Sequence, residues 1–469
     1  MVTIDPTEVP ASASKATGPD KFYFAAWRWH FYAGLYVIPF LLMLATTGLI
    51  MLWVSVLDGR DGEWIPVTPA GAPLAVSAQA DAALAAVPDG QLIKYIAPRR
   101  PELAAVFRID AGDGATMVAV NPYTAEVLET RPWQAGWYDL ANDIHGTLLL
   151  GVTGDRMIEI AASLGMVLIA SGLYLWWPRN GQGLRVLLPN LAARGRSLWK
   201  TLHATLGAWI SIVLVLFLVS GLSWAGVWGE KLVQAWSTFP AEKYSAPPSD
   251  VTHASMNLGN SKEVPWALEQ TPMPASGSEA GANGLAGDTP PTLDTVVAFA
   301  RQIGFDGRFQ LNLPKGETGV WTISRDSMSN DSAHPTDDRT VHIDRYSGKI
   351  LADIRYADYS PYGKAMAVGI ALHEGDMGWW NVTLNTLFCL SVIFVSLSGA
   401  VMWWMRRPTK AGRLAAPPMP RDLPLWQGAM LVGLAVSLAF PMAGITILGM
   451  LLLDVLLLSR LPALRRMLS

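Results

Sequence analysis

Hydrophobic residues run through this chain in long unbroken blocks, not in the short alternations of a soluble fold. Residues 31–53, 160–177, 204–229 and 377–405 contain no charged side chain. A bilayer core about 30 Å thick is crossed by about 20 apolar helical residues, so each block predicts a membrane-spanning helix. The first is too long, and its flank too aromatic, for a cleaved leader. A fifth block, residues 423–453, is divided by Pro441 and reads as one kinked span or as two short ones.

Positive charge arbitrates, because cytoplasmic connections carry the excess of Lys and Arg. Arg179, Arg185, Arg194, Arg196 and Lys200 follow span 2, and Arg406, Arg407, Lys410, Arg413 and Arg421 follow span 4. Two short spans in the last block also return Arg460, Arg465 and Arg466 to the cytoplasm, so six spans with both termini inside are expected. Asp454 then falls close to that face, where its cost is small. The expected order is a disordered cytoplasmic N-terminus (1–20), span 1 (21–53), an exterior module (54–141), an interfacial helix with span 2 (142–178) and a cytoplasmic loop (179–199). Span 3 (200–229), a second exterior module (230–370), span 4 (371–405), a second cytoplasmic loop (406–423), a helical hairpin (424–459) and a cytoplasmic tail (460–469) complete it. Residues 240–291, rich in Pro, Ser, Gly and Ala, read as an extended or mobile insert.

The chain also repeats itself. Trp27-Arg-Trp-His30, Gly34 and Thr47-Gly48-Leu49 in span 1 return in span 3 as Trp199 to His203, Gly207 and Ser220-Gly221-Leu222. His145-Gly146 precedes span 2, which closes on Ser171-Gly172 and Trp176-Trp177; His373-Glu374-Gly375 precedes span 4, which closes on Ser398-Gly399 and Trp403-Trp404. Each exterior region holds a helix (near residues 75–86 and 293–303) and then β runs, the last two joined by turns at Asn121-Pro122 and Ser347-Gly348. The fold class expected is an all-α membrane bundle, four core spans in two parallel repeats plus a C-terminal hairpin, with two small periplasmic α+β modules.

Composition agrees with the pattern. The chain is 51% apolar and 16% charged, against roughly a quarter charged in soluble proteins. Its net charge of −3 lacks the basic excess of a nucleic-acid binder. With one cysteine, Cys389, it has neither a disulfide framework nor a thiolate metal site. Many of its 20 tryptophans stand at span ends and read as interfacial anchors. No Walker A, dinucleotide fingerprint or nucleophile elbow stands out, so nothing is expected to bind NAD(P)H or flavin, and no catalytic residue is identified.

The chemistry lies in four of the seven histidines. His30 and His203 hold equivalent places at the cytoplasmic ends of spans 1 and 3, and His145 and His373 at the outer ends of spans 2 and 4. Repeat symmetry sets each pair face to face, one pair per side of the membrane. Neutral imidazole is a metal ligand, and haem iron takes axial histidines from opposite faces of the macrocycle. The competing reading makes each one a hydrated residue or cap at a helix end. Gly34 and Gly207, one turn past the first pair, leave room for a ring, or else they are helix-packing positions with Gly48 and Gly221. Arg28 reads as a propionate ligand or as a positive flank. His253, His334 and His342 lie in the exterior regions without partners at metal spacing and are expected to be ordinary surface or strand residues.

At these residues the chain resembles the PepSY-associated transmembrane family, iron-regulated inner-membrane proteins that include siderophore reductases. The likeness rests on Arg28-Trp-His30 with Gly34 and Thr47-Gly48; His145 to Gly151 with Ser171 to Pro178; Leu202-His203 with Gly207; Leu372 to Gly375 with Gly378, Asn381 and Met402-Trp-Trp; and Phe440-Pro441 with Asp454. It implies two haem b groups with axial ligands His30/His203 toward the cytoplasm and His145/His373 toward the periplasm. It further implies a bacterial inner-membrane ferric-siderophore reductase, passing electrons from a separate cytoplasmic donor to a periplasmic ferric siderophore or other acceptor. One electron releases iron because oxygen-donor chelators hold hard Fe³⁺ better than softer Fe²⁺. Two other functions share the architecture: a non-redox PepSY scaffold that regulates periplasmic proteases, and a transporter of a metal chelate.

Overall fold

The computed structural model describes residues 21–112, 114–178, 183–259, 261–287, 289–407 and 427–456. The expected N-terminus (1–20), residues 179–182 of the first cytoplasmic loop, residues 408–423 of the second and the tail lie outside the described residues.

The first half opens with α1 (Lys21–Leu57), then α2 (Val76–Ala85) and strands β1 (Gln91–Ile96), β2 (Ala105–Asp110), β3 (Ala115–Val120) and β4 (Val127–Pro132). It closes with α3 (Trp137–Thr147) and α4 (Val152–Trp176). The second half runs through α5 (Arg196–Leu222), the short strands β5 (Pro248–Thr252) and β6 (Pro272–Pro274), α6 (Leu293–Gln302), and strands β7 (Gln310–Asn312), β8 (Val320–Arg325), β9 (Arg339–Asp344) and β10 (Ile350–Arg355). It closes with α7 (Pro361–Glu374) and α8 (Trp379–Arg406), after which come α9 (Gln427–Ala439) and α10 (Pro441–Leu456).

Four helices are long and apolar enough to cross a membrane: α1, α4, α5 and α8. They pack as a ring in the order α1, α4, α5, α8, so the repeat-related α1 and α5 stand diagonally opposite. Val37, Leu41, Phe388, Cys389 and Val392 fill the centre. Span 3 ends at Leu222, short of residue 229, and span 4 starts at Trp379; His145 and His373 sit on the separate short helices α3 and α7 that lead into α4 and α8. Pro441 cannot continue the preceding helix. The chain turns back there, with Gly444 against Ser437, so α9 and α10 form a hairpin rather than one kinked helix.

The exterior regions correct the expectation of two separate modules. Their strands join in one eight-stranded antiparallel sheet, ordered β10-β9-β8-β7-β1-β2-β3-β4. The seam pairs Lys94 with Asn312, Tyr95 with Leu311 and Ile96 with Gln310. Each four-stranded half would expose its first strand as an edge, and mutual pairing removes both edges. Alternate residues point to opposite faces. Tyr95, Phe107, Ile109, Leu311, Ile323, Val341 and Ile343 form a core with residues of α2 and α6. Lys94, Arg108, Gln310, Thr322 and His342 occupy the alternate positions and are buried as well.

What buries them is the insert expected to be extended or mobile. The described residues within 240–274 are folded instead: Val264, Trp266, Ala267, Leu268 and Thr271 are buried, Phe239 and Leu268 pack with Ile354 and Tyr359, and Glu263 accepts from both Arg108 (2.7 Å at each oxygen) and Lys94 (2.5 Å). Its composition conceals a hydrophobic run that has the sheet to pack on. His342 is a strand residue, as expected, while His253 is neither on the surface nor in a strand. Both are fully buried, with Nε2 to Nε2 2.9 Å. His253 sits on the insert and His342 on β9, 89 residues apart in sequence.

Candidate functional site: two histidine pairs

The ring of helices brings His30 of α1 and His203 of α5 together, with ring centroids 6.2 Å apart and planes at 90°. His145 of α3 and His373 of α7 meet at 6.3 Å and 82°. Thr47, which contacts His145, lies 17 residues along α1 from His30. At 1.5 Å per residue the two pairs are therefore roughly 25 Å apart along the bundle. The His145/His373 pair is on the sheet side and the His30/His203 pair on the far side.

Each imidazole rests on a hydroxyl-glycine dipeptide of another helix. His30 Nδ1 lies 3.2 Å from Ser171 Oγ and 3.1 Å from the Leu168 carbonyl, and its Cε1 sits 3.0 Å from the point where Gly172 would carry a Cβ. His203 Nδ1 lies 2.9 Å from Ser398 Oγ and 3.0 Å from the Val395 carbonyl, with its ring against Gly399. His145 Nδ1 meets Thr47 Oγ1 at 2.9 Å beside Gly48. His373 Nδ1 meets Ser220 Oγ at 2.8 Å beside Gly221. The seats thus use the Thr-Gly and Ser-Gly pairs that repeat along the sequence. Gly34 and Gly207 face Leu168 and Val395 of the neighbouring helix, which places them in helix packing and not against a histidine.

This arrangement fixes proton positions. A carbonyl oxygen only accepts, so Nδ1 of His30 and of His203 carries the hydrogen. Ser171 and Ser398 donate their own hydrogens to helix carbonyls, Val167 O at 2.7 Å and Val395 O at 2.8 Å. Thr47 and Ser220 do the same, to Met43 O at 2.8 Å and Leu216 O at 2.9 Å, which leaves their lone pairs to accept from Nδ1. At His30 and His203 the carbonyl thus puts the lone pair at Nε2; at His145 and His373 the same tautomer goes with the hydroxyl hydrogen on its helix carbonyl, and no protein group among the described residues hydrogen-bonds Nε2 of the four rings. Fixing one ring nitrogen as a donor is how ligating histidines are commonly oriented.

The sheet-side pair borders a cavity of about 470 Å³ that reaches from Leu41 and Ala45 in the bundle past Gly48 and Gly221 to Arg108 and Glu263 under the sheet. Phe217 lies over His373 at 4.4 Å and against Phe388 at 4.4 Å. The backbone of His373 is clamped by Asn381, which donates to Leu372 O at 2.9 Å, and Asn385, which donates to the Leu372 and His373 carbonyls at 2.8 and 3.0 Å. Beyond α1, the loop 58–63 sends Arg60 to Glu374 (2.6 Å) and Asp376 (2.7 Å). The same loop sends Asp61 and Glu63 to Arg308 (2.5 and 3.3 Å). Asn381 was already part of the motif that carries the resemblance; the role of Asn385 and the ionic bridge, made by residues far apart in sequence, were not legible there.

Arg28 donates to Tyr32 Oη at 3.2 Å. Among the described residues no group of three or more His, Cys, Asp or Glu side chains is placed to hold a metal ion. No curated protein matches the chain. The pattern of the PepSY-associated TM region matches residues 27–406, from the tryptophan before His30 to the end of α8, and this multi-pass membrane protein belongs to that family.

Proposed function

We propose that each histidine pair holds one haem b by bis-histidine ligation, and that the protein carries electrons across the membrane to reduce a ferric chelate of the siderophore type. The observation that carries the reading is the pairing itself. A ring nitrogen lies about 1 Å from its ring centre and binds a first-row metal at about 2 Å, so two imidazoles sharing one ion stand roughly 6 Å apart. The separations of 6.2 and 6.3 Å match this. Neutral imidazoles with a bare Nε2 are the donor set haem iron takes, and the cavity beside His145 and His373 gives a macrocycle room on that side. The bound group supplies one-electron chemistry. The chain's own residues orient the rings, exclude water from the bundle centre, and place Phe217 and Phe388 in the low-dielectric gap between the sites.

The sidedness proposed puts the sheet domain in the periplasm of a bacterial inner membrane. The far side, with Arg185, Arg194, Arg196 and Lys200, faces a separate cytoplasmic electron donor, and the α9–α10 hairpin completes six spans with both termini inside. Detergent-purified protein from haem-replete cells should show a Soret band, split α/β bands on reduction, and two haems per chain by pyridine haemochrome. His203→Ala and His373→Ala should each remove or perturb one haem and leave the other. Protein that purifies intact without haem refutes the reading.

A further inference from the structure

Resting on the haem reading above, we propose that the Ser220 hydroxyl is the positioning group that sets the ligating tautomer of His373, whereas at His203 this task is shared between Ser398 and a backbone carbonyl. The two histidines belong to the same half of the chain and each leans on a serine-glycine seat, yet their Nδ1 surroundings differ. Ser220 Oγ, at 2.8 Å, is the hydrogen-bond partner recorded for His373 Nδ1. His203 Nδ1 has both Ser398 Oγ at 2.9 Å and Val395 O at 3.0 Å. Removing Ser398 Oγ leaves an acceptor that cannot become a donor, so the proton stays on Nδ1 and Nε2 stays bare. Removing Ser220 Oγ leaves the buried Nδ1–H of His373 without its acceptor. The alternative tautomer, with hydrogen on Nε2, then competes and cannot ligate.

The helix carbonyls beside Ser220 favour one orientation of its hydroxyl. Ser220 donates its hydrogen to Leu216 O at 2.9 Å and lies 3.1 Å from Phe217 O, so its lone pair is what faces the ring. The Asn381 and Asn385 clamp fixes the backbone of His373, and Phe217 covers one ring face. Backbone position and ring plane are thus held by other residues, which leaves the proton to Ser220.

The test compares Ser220→Ala, Ser220→Thr and Ser398→Ala in the full-length haem-loaded protein, read by low-spin electron paramagnetic resonance and by haem stoichiometry during titration with an apo-haem-acceptor protein. In Ser220→Ala the sheet-side signal should shift its g values, and that haem should be lost about 10- to 100-fold more readily, the usual effect of deleting a ligand's outer partner. The far-side signal in the same molecules should be unchanged and reports that the bundle is folded. Ser220→Thr restores the hydroxyl and should restore the signal. Ser398→Ala should leave the far-side signal and its haem retention close to those of the parent. The inference is overturned if Ser220→Ala changes neither signal nor retention, or if Ser398→Ala is as damaging at its own site. A parent protein without haem overturns the functional reading instead, and is distinguished by stoichiometry before any variant is made.

Discussion

At the scale of single residues, the four glycines beneath the histidine rings are not equivalent, and their differences can be measured. A Cβ on Gly172 would lie 3.0 Å from His30 Cε1 and 3.4 Å from its Nδ1, which a close-packed interior does not accept without movement. A Cβ on Gly221 would lie 4.0 Å from His373, an ordinary contact. Gly172→Ala should therefore displace His30 and cost on the order of 1–3 kcal/mol, with the far-side optical and magnetic signals altered. Gly221→Ala should be close to neutral. A far-side signal unchanged by Gly172→Ala would mean that the ring does not occupy this seat. The histidines and the repeated dipeptides were both visible as spacing in the sequence. Their mutual contact was not, because each seat is on a different helix from its ring, 98 to 195 residues away.

At the scale of elements, the insert between α5 and α6 shows where sequence reading fails and why. Residues 240–274 lack periodicity and carry many turn formers, so composition points to a loose connection. Order comes from a few long-range contacts that no local pattern announces: Glu263 under the sheet, the Val264–Leu268 run against β10, and His253 against β9. The spans and the strands, by contrast, were legible, since their hydrophobic runs and alternation are local. Even so, the union of two modules into one sheet was hidden in an edge-to-edge pairing. Glu263 is the anchor to test. Burial pushes its carboxyl up, but Arg108 and Lys94 outweigh burial and hold it well below the usual carboxylate range. Glu263→Gln takes the nearest counter-charge from two buried cations and leaves Arg108 with the more distant Asp61 at 3.7 Å, a loss of about 3–5 kcal/mol. The expected outcome is protease cleavage within 240–274 at a pH and temperature where the parent is resistant, with the transmembrane helices still protected.

At the scale of the whole molecule, the β1–β7 seam, the ionic bridge of loop 58–63 and the buried contacts of the insert with the sheet bind the parts into one unit. The His253–His342 contact is one tie sensitive to acid. His253 donates from Nδ1 to Thr271 O at 2.7 Å, so its Nε2 accepts from Nε2–H of His342, whose Nδ1 in turn accepts from Thr322 Oγ1 at 3.0 Å. No lone pair is left for another proton. Burial lowers His253 to about 4, and burial together with the neighbouring ring lowers His342 well below its ordinary value. The unfolded chain binds protons at these two positions as pH falls below about 6.5, while the folded domain does not. Stability is thus fully present above about pH 6.5 and falls toward pH 4 by roughly 1.4 kcal/mol per pH unit for each histidine. Asp326 works in the opposite sense. Burial and Asp331 raise its carboxyl to about 7, so its contribution is lost as pH rises toward 7. Comparing the parent with a protein carrying His253→Leu and His342→Leu together removes the aspartate's part from the difference. Melting of the sheet domain, followed by near-ultraviolet circular dichroism between pH 7.5 and 4.5, should fall steeply with acid in the parent and markedly less in the double variant. Equal slopes would show that the pair is not an acid-sensitive tie between the insert and the sheet.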